Sequence, residues 1–130
     1  MSPPAIFREI VRRPEFERDL KRLAKRFRTL EEDLAMLLRA QVLPFHKLGF
    51  DNGGIMRIPG LPFIEPRIYK VRKFACKSIK GRGANSGLRL VYAYFEKNDR
   101  LELIEIYFKG DKENEDRGRI IGLYTGTAAP

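Results

Sequence analysis

The apolar residues of this chain change their period part-way along it, and that change sets the class of fold. Phe16, Leu20, Leu23, Ala24 and Phe27 recur at the spacing of one helix face, and Leu30, Leu34, Leu37 and Leu38 supply a second stripe. From Arg67 the period drops to two. Tyr69 and Val71 alternate with Lys70 and Arg72, and Leu88, Leu90 and Tyr92 alternate with Arg89, Val91 and Ala93. Helices gathered early and strands gathered late imply an α+β fold, mainly antiparallel, with a two-helix hairpin on one face of the sheet. A chain of 130 residues has room for one domain with its own core.

Local signals fill in the order β-α-α-β-β-β. Residues 5–12 have the β-branched and aromatic content of a short strand. Pro14 suits a helix start, and Thr29 with Glu32 three residues on predicts a capping box for the second helix. Pro44, Gly49, Gly53, Gly54, Pro59, Gly60, Pro62 and Pro66 make 43–66 a long loop or insertion, with one extended piece at 55–58. Strands are expected at 67–76, 88–95 and 101–108, with a flexible connection over 77–87 and a tight turn at Asn98-Asp99. A short helix through Ile120 then closes a single domain over 1–124, leaving 125–130 as a frayed tail.

Charge narrows the function. There are 26 basic and 17 acidic side chains, a net of +9, and the excess is concentrated rather than spread. Residues 67–90 carry eight cations and no carboxylate, and residues 1–30 carry nine basic against four acidic side chains. A solvated face ordinarily mixes signs, so a block of one sign points to an anionic partner. One cysteine and one histidine exclude a disulfide scaffold and a Cys/His zinc site. No apolar run approaches the length of a membrane span, and the expected location is the cytoplasm. His46 lacks a surrounding acid or nucleophile motif and reads as a loop residue. Cys76 sits at a strand end among cations, where a thiol pKa can be lowered, but without a partner histidine it reads as a half-buried strand residue. Glu113, Glu115 and Asp116 lack the supporting ligands of a calcium loop.

The second half resembles the RelE/ParE superfamily of toxins. The resemblance is carried by Ile68-Tyr69-Lys70-Val71-Arg72, Lys80-Gly81, Gly87-Leu88-Arg89-Leu90-Val91-Tyr92 and the run from Ile104 to Lys112. It implies a RelE-like fold and a toxin of a toxin–antitoxin pair, a metal-independent endoribonuclease cutting mRNA on the ribosome without a cofactor. An acidic antitoxin protein would neutralise it. By position in the motif, catalytic roles would fall to Lys70, Arg72 and Arg89, with Lys109 or Lys112 as the later cation. RNA contacts would come from Lys73, Lys77, Lys80 and Arg82, and from Lys21 and Lys25 on the basic first helix. Tyr107 comes early and Tyr124 late for the C-terminal tyrosine of some relatives, so no residue takes its place. Arginine suits the transition state because its planar fork pairs two phosphoryl oxygens. Lys70 is the candidate base if neighbouring cations depress its pKa. Two other readings stay open: a ParE-like inhibitor of DNA gyrase, and a nucleic-acid-binding module without catalysis.

Overall fold

Five strands, β1 (Glu9–Arg12), β2 (Ile55–Arg57), β3 (Arg67–Val71), β4 (Leu88–Phe95) and β5 (Arg100–Phe108), form one sheet in the order β1-β5-β4-β3-β2. The computed structural model describes residues 6–125. The fold is α+β, and the sheet is mixed: β1 runs parallel to β5, and every other neighbouring pair is antiparallel. Among the described residues no helix is long and apolar enough to cross a membrane.

Helices α1 (Pro14–Ala24), α2 (Leu30–Leu37) and α3 (Leu43–Leu48) lie on one face. There Phe16, Leu20, Leu23, Leu30 and Leu34 pack with Val71, Leu88, Leu90, Leu103 and Ile106 as the main core. Burying such side chains contributes roughly 1.5–3 kcal/mol each. The opposite face is not bare, as a single helical layer would leave it. Helix α4 (Arg117–Tyr124) and the segment after β2 cover part of it with a second core of Ile58, Ile68, Val91, Ala93, Ile104, Tyr107 and Ile120. The apolar run of β5 serves both cores because of a bulge. Val91 pairs with Glu105 and Tyr92 with Leu103, so Ile104 is the extra residue.

Several expectations are corrected. The first strand begins at Glu9 rather than residue 5, and β3 stops at Val71. The expected loop at 43–66 begins as helix and contains β2, the fifth strand of the sheet. Pro44 did not end the helix, because the chain widens into a π-helical turn at Leu38–Val42 just before it. Such a turn accommodates the missing N–H and the ring of a proline. The Thr29–Glu32 capping box is not made either. Thr29 Oγ1 donates to Asp33 Oδ2 at 2.7 Å and bonds Ser78, while Ser78 N and Lys77 N donate back to Thr29 Oγ1 and Asp33 Oδ2. The connection after β3 is thereby docked on the start of α2. The final turns of α4 reach Tyr124, and the expected tail at 125–130 lies, beyond Thr125, outside the described residues.

His46 also departs from expectation, and Cys76 is more deeply buried than expected. His46 is enclosed by Phe7, Phe45, Tyr69, Tyr92 and Tyr94, with Nε2 2.7 Å from the Tyr92 hydroxyl. Burial, aided by the charge of Lys47, lowers its pKa to about 4. Cys76 is buried and its thiol pKa is raised, first by burial and then by Asp33. It is a core residue.

Candidate nucleic-acid interface

At the end of the sheet where the chain leaves β3 and β5 and enters β4, the surface opens into a groove. Arg72, Arg82, Asn85, Ser86, Gly87, Arg89, Phe108, Lys109 and Gly110 line it. The β3–β4 register pairs Val71 with Leu90, and continuing it by one residue sets Arg72 beside Arg89. Arg89 Nη1 donates to the carbonyl oxygens of Arg72 and Leu88, each at 3.1 Å. A guanidinium held by two main-chain carbonyls keeps its remaining donors for a ligand. Lys109 continues the ladder past β5, with its N–H 2.8 Å from the Gly87 carbonyl.

Two glycines shape the floor. Gly87 has φ +95°, a left-handed conformation, and a Cβ there would meet the Phe108 ring at 3.0 Å. A Cβ on Gly110 would come within 2.6 Å of the same ring. Phe108 is thus approached closely by backbone from both sides. Arg26 stacks 5.0 Å from its ring centroid and takes Asp111 in a two-point bond of 3.0 and 2.8 Å. That pairing engages the carboxylate of Asp111, the residue after Gly110 of the lining. Arg72, Arg82, Arg89 and Lys109 form no ion pair with any described residue.

The other singled-out cations stand elsewhere or are engaged. Lys70 stands two residues before Arg72, but its Nζ donates to Glu115 Oε1 at 2.7 Å. Lys112 pairs with Glu105, which is 1% exposed. Lys73 donates to the Asn52 carbonyl at 2.6 Å, and Lys77 lies 3.8 Å from Glu32. Lys80 is exposed on the turn after β3. Lys21 and Lys25 are exposed on α1 and just beyond it and do not line the groove. Sequence reasoning missed Glu115, Glu105 and the groove's Asn85, Ser86 and Phe108. The approach of Gly87 and Gly110 to Phe108 is made by the fold, and Phe108 itself stands between Tyr107 and Lys109 in the sequence.

Below the groove, the Tyr107 hydroxyl is buried without a hydrogen-bond partner. Its pKa is pushed up to about 12, by burial first and then by the charges of Glu115 and Glu105. Tyr124 is committed to Glu102 at 2.8 Å. Asp19 and Arg119 clasp the open edge of β5. Arg119 donates to Asp19 Oδ2 at 2.7 Å and to the Ile104 carbonyl at 2.9 Å, and Ile106 N donates to Asp19. Among the described residues no three histidine, cysteine or carboxylate side chains gather as a metal ligand set. No protein-family model matches the chain, and a search of curated proteins returned no match.

Proposed function

We propose that this chain is a RelE-like toxin that cuts mRNA through attack of a 2′-hydroxyl on the adjacent phosphorus, and that an acidic antitoxin protein neutralises it. The observation that carries the reading is the groove of four cations, Arg72, Arg82, Arg89 and Lys109, lined without a carboxylate. The motif resemblance supports it, and so does the sheet, in which β1 and β3–β5 follow the expected β-α-α-β-β-β order with β2 added at one edge.

In this reading Arg89, fixed by two carbonyls, meets the scissile phosphate, and Arg72 pairs the same group from the next strand. Charge that develops on the phosphoryl oxygens is met by donors already in place, which lowers the barrier without reorganisation. Arg82 and Lys109 hold flanking phosphates and set the register of the strand. A segment rich in Asp, Glu and apolar residues would cover the same groove in the inhibited complex.

The test is growth arrest and the mapping of cleavage ends on translated mRNA, for the wild type and Arg89→Ala. Arrest and cleavage by the wild type, both lost in a folded Arg89→Ala, are expected. Equal arrest by both proteins would overturn the nuclease reading and direct the test to DNA gyrase.

A further inference from the structure

Cleavage by an internal 2′-hydroxyl needs a base for that proton and an acid for the departing 5′-oxygen. The groove lining offers cations, an amide and a hydroxyl, and no carboxylate. The missing pair lies one step back along the chain. Lys70 precedes Arg72 by two residues, about 7 Å along the strand. Its Nζ is 2.7 Å from Glu115 Oε1, and the two side chains keep 13% and 10% of their surface exposed. The pair is enclosed but reachable.

Holding the segment after β5 does not explain this ion pair. Glu105 already engages that segment twice, taking the Lys112 ammonium and, at 2.8 Å, the Asp116 N–H. Arg119 and Arg117 add contacts to Asp19 and to the carbonyls of Pro59 and Gly60. An enclosed ion pair is moreover a weak source of stability, since desolvating both charges offsets most of their attraction. Beside it lies the unpartnered Tyr107 hydroxyl, whose residue pairs with Arg89 across β4–β5.

We propose that Lys70 and Glu115 are a coupled acid–base pair for RNA cleavage, Glu115 taking the 2′-hydroxyl proton and Lys70 protonating the 5′-oxygen. The proposal rests on the reading of the groove as the phosphate site. The bond from 2′-oxygen to phosphorus forms as the bond from phosphorus to 5′-oxygen breaks, giving a 2′,3′-cyclic phosphate and a 5′-hydroxyl. The proton on Glu115 then crosses to Lys70 through their hydrogen bond, and both return to their starting ionisation. Burial raises the Glu115 pKa, but the Lys70 hydrogen bond and the charges of Lys70 and Arg117 outweigh it, so the net shift is downward. Arg117 on the following segment acts on Glu115 directly, and Tyr107 on β5 feels Glu115 together with Glu105 and, from β4, Arg89.

The experiment uses a ribosome-bound mRNA oligonucleotide with either an ordinary linkage or sulfur in place of the bridging 5′-oxygen. Sulfur departs without a proton, so it makes the acid dispensable and leaves the base essential. Glu115→Gln is expected to slow both substrates by about 10²–10⁴-fold, and Lys70→Met to slow only the ordinary one by a similar factor. Rates are compared at saturating RNA, so that a change in affinity does not enter. Wild-type rates in Glu115→Gln, or failure of sulfur to rescue Lys70→Met, would overturn the pair while leaving the nuclease reading intact. Absence of cleavage by the wild type would overturn both. Should either variant fail to fold, the wild-type pH profile decides. The sulfur substrate should lose the alkaline limb and keep the acidic one, and survival of both limbs would contradict the proposal.

Discussion

Two groups of side chains near the β3–β4 end of the sheet draw on the same residue types and end in opposite states. In one group Arg72 and Arg89, joined by Arg82 and Lys109, share a groove with no carboxylate. In the other, Lys70 meets Glu115 and Lys112 meets Glu105. All of these cations except Arg82 belong to the motif that resembles the toxins, so the difference lies in the acidic residues the fold delivers. The segment after β5 brings Glu115 over Lys70, and Arg26 engages the carboxylate of Asp111. An unpaired cation is available to a phosphate, whereas a paired one must first release its partner. The first group is suited to binding anions and the second to handling protons.

The sharpest way to break this comparison is to remove the best-held cation of the unpaired group. Arg89→Ala should fold normally and lose about 10²–10³-fold in RNA cleavage, or roughly 3–4 kcal/mol, as for one preorganised donor elsewhere. Arg89→Lys should recover little, because a point charge cannot reproduce the fork. Primer extension on translated mRNA reads both. A variant that changes activity by less than twofold would make Arg89 an ordinary surface residue.

Cutting the clasp at the β5 edge tests the opposite proposition, that paired charges hold the fold rather than the ligand. Arg119→Ala removes the closest charge partner of Asp19, which is only 7% exposed and keeps just the Ile106 N–H and the exposed Arg22 at 3.6 Å. Stability should fall by about 3 kcal/mol in denaturant unfolding. RNA binding by the folded fraction should be unchanged.

The smaller effect concerns His46 on α3. Its pKa is lowered to about 4 from an ordinary 6.5. Between those values the unfolded chain takes up a proton that the native chain resists. Stability therefore falls as pH drops from 6.5 toward 4, by about 1 kcal/mol at pH 5 after allowance for partial solvent screening. The chain has a single histidine. One ring resonance in an NMR titration reports it directly, and an unshifted midpoint near 6.5 would place the ring in water.

Much of the architecture was legible because periodicity follows burial. The α1 stripe and the alternation of β3 and β4 are visible in the residues, and the Asn98-Asp99 turn carries its mark in Asp99, at φ +52°. The helix through Pro44 was not legible, since the π-helical turn that admits the proline leaves no composition of its own. Nor was the second core, because Val91 and Ala93 occupy what reads as the solvent phase of an alternating strand and are fully buried under the 58–66 segment and α4. The basic block at 67–90 located the groove, but pairing across the fold separated Lys70 from Arg72. Glu115 lies 45 residues from Lys70 along the chain. Local spacing carries no sign of that contact.

The most direct test of the division between groups is the salt dependence of binding to an uncleavable 2′-O-methyl RNA. Four phosphate contacts on a single strand give a slope of log K against log salt near −3. Replacing Arg72, Arg82, Arg89 or Lys109 by alanine should each make the slope shallower by about 0.7, while Lys112→Ala should leave it unchanged. A wild-type slope near zero, or an equal loss from Lys112→Ala, would contradict the assignment of phosphate binding to the unpaired group.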